Sequence, residues 1–165
     1  MLWRKVVPRM DQQSEQAVWR RVKAKGSVTA EEALLPERLE ALILQERADA
    51  AALRLLSRRM GGQGSAPVSR AAASSEARAR TLVTLHYLLS GRRLRLQTPP
   101  CGKQDDLPEA LRQASLRMEQ TAAAYASLAK EFPERGELFS GLSCQARGQY
   151  RALTARLQSL LCARF

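Results

Sequence analysis

One histidine in 165 residues leaves no set of imidazoles to ligate zinc, copper or iron. The three cysteines, Cys101, Cys144 and Cys162, are odd in number and show no C-x-x-C spacing, which argues against a disulfide framework and against a zinc site. Each is expected to be a reduced, partly buried thiol. No apolar run approaches the roughly 20 residues that span a bilayer, so no membrane association is expected. Pro8 and Arg9 break the first apolar stretch before it reaches the length of a secretory core, which makes a cytoplasmic location the expectation. No segment alternates polar and apolar residues over a useful length, so strands are not expected.

The usual catalytic patterns are missing as well. The Gly61, Gly62, Gly64 cluster runs into Ser65 and Pro67 with no Lys, so it is not a phosphate-binding loop. Any Ser-His-Asp or Cys-His arrangement would have to use His86 alone, and no serine sits in a nucleophile elbow. Enzyme activity is therefore not expected.

What the chain has is apolar residues, arginine and alanine. Apolar residues make up 45% of it, close to the globular average, and 165 residues suit one domain-sized core. Lys and Arg number 27 against 16 acidic residues, a net charge of +11. Such a charge can mark a phosphate-binding surface. Here 22 of the 27 are Arg in an Ala-rich chain and they are scattered, the densest groups being Arg20, Arg21, Lys23, Lys25 and Arg92, Arg93, Arg95. A solvated basic surface is the leading explanation, with nucleic-acid or acidic-partner binding as the lesser one.

The apolar spacing predicts helices. Residues 11 to 24 carry Val18, Trp19 and Val22 after Asp11, a short amphipathic helix within an N-terminal segment, residues 1–36. A four-helix bundle is expected over residues 37–163. Its first helix, Pro36 to Met60, has a stripe of Leu39, Leu42, Ile43, Ala50, Leu53, Leu56 and Met60 and stops at a flexible glycine-rich turn. The second, about Val68 to Ser90, carries Ala71, Leu82, Leu85 and Leu89 and ends at Gly91. After the loop 97–106 the third, about Leu107 to Phe132, places Leu111, Met118, Tyr125 and Phe132 at a seven-residue period. The fourth, Glu137 to about Ala163, turns Leu138, Leu142, Leu153, Leu157 and Leu160 inward. Helices of this length suit an up-and-down bundle or its long-crossover variant, the connection between the second and third being the longest.

The two halves repeat at an offset of about 71 to 72 residues. Glu46, Leu53 and Leu56 align with Met118, Tyr125 and Leu128, and Arg78 through Leu82 align with Gln149 through Leu153. The paired hairpins, the Leu42-x-x-x-Glu46 spacing and the run Leu82-Val-Thr-Leu-His-Tyr-Leu-Leu-Ser-Gly91 resemble the ferritin-like superfamily, in particular small rubrerythrin-like bacterial proteins, over about residues 37 to 161. The resemblance implies an all-α bundle, possible homodimers and, in the family, iron oxidation or peroxide reduction at a di-iron centre. Family members hold the irons with a Glu from the first and third helices and a Glu-x-x-His pair from the second and fourth. Residues three apart share a helix face, which lets each pair converge on the metals.

Carried onto this chain, the six ligand positions are Glu46, Ser75, Arg78, Met118, Ala146 and Gln149. Only Glu46 retains a ligand. A one-residue shift would bring in Glu76 and Glu119 as weaker metal candidates, but it rotates them by about 100° off the apolar stripes. His86 lies about two turns beyond Arg78, packed or exposed at the bundle end. An inward guanidinium repels metal cations, so Arg78 and Glu46 are expected to form a buried ion pair, with Met118, Ala146 and Tyr125 as core filling. No cofactor is expected; the alternative is weak binding of iron or another divalent ion. A protein partner or a homodimer, the latter supported by exposed Trp3 and Trp19, completes the expectations.

Overall fold

A computed structural model describes residues 30–95 and 106–162. The predicted helix at residues 11 to 24, Trp3, Trp19, the basic group at Arg20 to Lys25, Cys101 and most of the 97–106 loop lie outside the described residues. The chain divides into two compact units, Met1–Leu35 and Pro36–Phe165. The bundle belongs to the second.

Four long helices carry the fold: α1 (Ala30–Met60), α2 (Ala66–Ser90), α3 (Leu107–Glu131) and α4 (Gly136–Cys162). No strand occurs among the described residues, and none of their helices is long and apolar enough to cross a membrane. α1 begins six residues before the expected start and holds Pro36 inside it, where the helix forgoes the Pro36 N–H and must accommodate its ring against the carbonyl four residues earlier. Gly61 and Gly62, at φ 58° and 57°, end α1 in a conformation that side chains with a Cβ rarely adopt. In the expected glycine-rich turn, Gln63–Ser65 forms a 3-10 turn, with the Ser65 hydroxyl donating to the Gly62 carbonyl at 2.7 Å. α2 ends at Gly91, also left-handed, whose N–H donates to Tyr87 O. α3 starts on Asp106, whose carboxylate accepts the Glu109 N–H at 3.1 Å.

Cross-helix contacts set the topology. Glu46 with Arg78, Glu40 with His86 and Arg54 with Glu76 run in opposite order along α1 and α2, so these helices are antiparallel. Tyr125 with Glu46, Arg117 with Asp49 and Arg38 with Glu131 make α1 and α3 antiparallel too. α2 and α3 therefore point the same way, and the connection from Ser90 to Leu107 joins opposite ends of the bundle. This is the long-crossover variant. The Arg38 guanidinium, hydrogen-bonded to Glu131, holds that carboxyl down at about 2.

One end of the core is built from Leu53, Leu56, Val68, Ala71, Leu111, Ala114 and Leu153. Toward the other end Leu39, Ile43, Leu82, Leu128, Phe132, Phe139 and Leu142 are buried. Several positions differ from the sequence reading. Phe139, not Leu138, faces inward, and Leu138 is left exposed one residue, or about 100°, away. On α2 His86 is fully buried whereas Leu85 and Leu89 are only half-buried. Leu42, Leu157 and Leu160 are likewise half-buried.

Candidate functional site

Between the two apolar ends lies a polar layer made by the same register that buries the leucines. Glu46 falls between Ile43 and Ala50 on the inner face of α1, and Ser75 and Arg78 fall between Ala71 and Leu82 on α2. Glu46, Ser75, Arg78, Met118 and Tyr125 all expose 1% or less of their surface. The Arg78 guanidinium meets Glu46 side-on, Nε donating to Oε1 at 2.5 Å and Nη2 to Oε2 at 2.9 Å. Nη2 also donates to Ser75 Oγ at 3.0 Å, and Nη1 donates to Gln149 Oε1 at 2.8 Å and Ser74 Oγ at 3.4 Å. Each of the five guanidinium N–H donors thus has an oxygen acceptor. Met118 Sδ lies 3.5 Å from Nη2 and accepts the Ser75 hydroxyl at 3.9 Å.

Tyr125 does more than fill the core. Its hydroxyl donates to Glu46 Oε1 at 2.6 Å. Burial, reinforced by the Glu46 charge, pushes the phenol well above its ordinary pKa. It remains a hydrogen-bond donor and not a source of protons.

Of the six positions expected to correspond to metal ligands, Glu46, Ser75, Arg78, Met118 and Gln149 meet in this network, and Ala146 is buried without a polar group to offer. The other candidates are elsewhere. Glu76 pairs with Arg54 at 3.1 Å and stands 3.9 Å from Arg80. Glu119 is exposed beside Arg147, Tyr150 and Arg151. His86 places Nε2 3.0 Å from Glu40 Oε1 and Nδ1 3.3 Å from Ser90 Oγ, so its ring nitrogens are engaged at the bundle end. Among the described residues no group of three or more His, Cys, Asp or Glu side chains converges.

The residues of the polar layer do not fit a di-iron centre. Glu46 has both carboxylate oxygens committed to Arg78 and Tyr125, and a fixed cation stands where metal cations would have to bind. Ser75, Met118 and Ala146 supply no anionic ligand.

Asp49 was not singled out by the sequence, yet it is buried one turn from Glu46. It accepts from Arg117 Nε at 2.6 Å and Gln45 Nε2 at 3.0 Å. Its signal was available: Asp49 lies three residues after Glu46, and Arg117 directly precedes Met118. Burial is the main reason its carboxyl is raised above the ordinary value, with Glu46 adding to it against the opposing pull of Gln45 and Arg117. A carboxyl with a raised folded-state pKa favours folding below its unfolded value and loses that contribution as pH rises through the folded one. Asp49→Asn is accordingly expected to be at least as stable as the parent at about pH 7 and to lose that advantage at about pH 3, measured by urea unfolding at both.

Cys144 and Cys162 are free and exposed, not partly buried. On α4 the inner face runs through Leu142, Ser143 and Ala146, which turns Cys144 out. Arg92, Arg93 and Arg95 are exposed, the first two beside Tyr87 and Leu94 in a surface depression.

The chain matches no protein-family model, no curated protein and no solved structure.

Proposed function

We propose that this chain is a ferritin-like, rubrerythrin-like bundle whose di-iron site has been replaced by a buried ion pair, and that it serves a structural or interaction role. One observation carries the reading. Five of the six positions that correspond to the family's ligands meet in a single network, and its centre is the buried Arg78 guanidinium on Glu46. The crossover topology, with α2 and α3 pointing the same way, supports the same family. The chemistry of the network supports a non-catalytic role: it holds no nucleophile, its phenol is locked as a donor, and Glu46, Ser75, Arg78 and Tyr125 at its centre are buried. A weak carboxylate metal site is disfavoured by the separation of Glu76 and Glu119 from Glu46.

The test is anaerobic loading of the purified chain with Fe(II), desalting and elemental analysis. Iron at background is the expected result, with no rise in unfolding temperature on adding the metal. About two irons per chain, the stoichiometry of a di-iron carboxylate bundle, would overturn the reading.

A further inference from the structure

A groove runs along the outer side of α3 and α4, and its walls carry cations that no carboxylate of the described residues neutralises. It has a volume of about 570 Å³ and is lined by Lys130 on α3 and by Ser140, Arg147 and Arg151 on α4, over small residues that include Ala126 and Gly148. Arg147 and Arg151 lie one turn apart on the same face of α4, and Lys130 reaches the groove from the last turn of α3. No acidic residue lines it. All three cations are exposed, and none has an ion-pair partner among the described residues. Arg38, Arg54, Arg78, Arg112 and Arg117, by contrast, are each held by a carboxylate. An adjoining depression of about 310 Å³ shares Arg147 and Arg151 and adds Tyr150 and Glu119.

We infer that this groove binds a ligand carrying a diphosphate or triphosphate group. Two guanidinium forks, an ammonium and the Ser140 hydroxyl offer more donors than the two oxygens of one carboxylate accept, whereas linked phosphates present acceptor oxygens in several directions. From Ser140 to Arg151 the groove follows about 16 Å of α4, more than a single phosphate fills. Its volume is that of a small-molecule site. No aromatic ring lines it for a base to stack on, which favours a compact oligophosphate over a single-stranded nucleic acid. Inorganic oligophosphate and a nucleoside triphosphate share this chemistry; in the second, the nucleoside would lie in the adjoining depression beside Tyr150. The inference stands on the outer side of α3 and α4 and does not depend on what fills the core.

Isothermal titration calorimetry of the full chain with sodium tripolyphosphate tests it. One site per chain is expected, with a Kd of about 10 µM in about 0.1 M salt that weakens as salt rises. Arg147→Glu combined with Arg151→Glu is expected to weaken binding by about 100-fold or more with an unchanged circular dichroism spectrum and melting temperature, since both side chains are exposed. Arg70→Glu combined with Arg93→Glu makes the same change of charge at exposed positions outside the groove and is expected to leave the Kd within about threefold. ATP bound about tenfold or more tighter than tripolyphosphate supports the inference with a nucleoside ligand, and any weaker binding of ATP supports it with a free oligophosphate. The inference is overturned by no saturable heat up to about 1 mM tripolyphosphate, or by equal losses in the two double variants. Citrate bound as tightly as tripolyphosphate, or a preference for a single-stranded oligonucleotide or for phosphatidylserine vesicles, overturns it as well.

Discussion

Arg78→Ala is expected to destabilise the fold by about 3–5 kcal/mol, the cost of leaving a buried charge without its partner. For a chain of this size that corresponds to a fall of roughly 10 °C in melting temperature. The size of the effect follows from what is left behind. Glu46 is fully buried, and with the guanidinium gone its carboxylate keeps only the Tyr125 hydroxyl. Gln149, Ser75 and Ser74 lose a donor in the same step. Arg78→Lys is expected to recover only part of the loss, since an ammonium cannot make the side-on pair to both Glu46 oxygens while reaching Gln149 across the bundle. Urea unfolding of the parent and the two variants measures both effects.

Tyr125 gives the second large effect and separates hydrogen bonding from packing. Tyr125→Phe keeps the ring and removes the donor to Glu46, which should cost about 1–3 kcal/mol. Tyr125→Ala also opens a cavity and should cost about 3–5 kcal/mol. The phenol adds a signature in alkali. Its folded-state pKa lies above the unfolded value near 10, so the neutral hydroxyl stabilises the fold below that value and the benefit is lost as pH rises beyond it. Parent stability should therefore fall more steeply above about pH 10 than that of Tyr125→Phe. Unfolding free energies compared at neutral and alkaline pH would reveal the difference, and equal slopes would place the hydroxyl outside the network.

How much of this was legible in the sequence depends on which force decided each position. Long apolar stripes interrupted by Gly61, Gly91 and Pro133 mark four helices, because burial of a leucine face dominates helix placement. The half-chain repeat marks Glu46, Ser75, Arg78, Met118 and Gln149 as equivalent inner positions, and geometry that follows from the 3.6-residue period brings them together. Register was less legible where two neighbours compete for one inner slot. Leu138 and Phe139 both fit the stripe of α4, and the larger ring is the one buried. Polar residues buried by satisfaction rather than by hydrophobicity were the least legible. His86 is buried because Glu40 and Ser90 engage its ring, and Asp49 because Arg117 and Gln45 engage its carboxylate. Such partners come from other turns or other helices, so a local pattern cannot display them. The start of α1 escaped for a different reason: Pro36 reads as a boundary, yet it lies within the helix.

The exposed face of α1 and the closed core divide the molecule's polar and apolar surface in an unusual way. A fixed pair of charges is sealed inside, and a line of leucine and alanine is left outside. The first is consistent with a bundle that needs no metal to neutralise its centre.

A double-mutant cycle across Glu46 and Arg78 tests the central claim most directly. Glu46→Leu, Arg78→Met and the combined variant would be unfolded in urea beside the parent. If the ion pair neutralises the centre of the bundle, each single change is severe, the combined chain lies closer to the parent than either, and the coupling is about 2–3 kcal/mol. Additive losses with coupling near zero would contradict the account, because they would mean that Glu46 and Arg78 do not depend on each other in the folded protein.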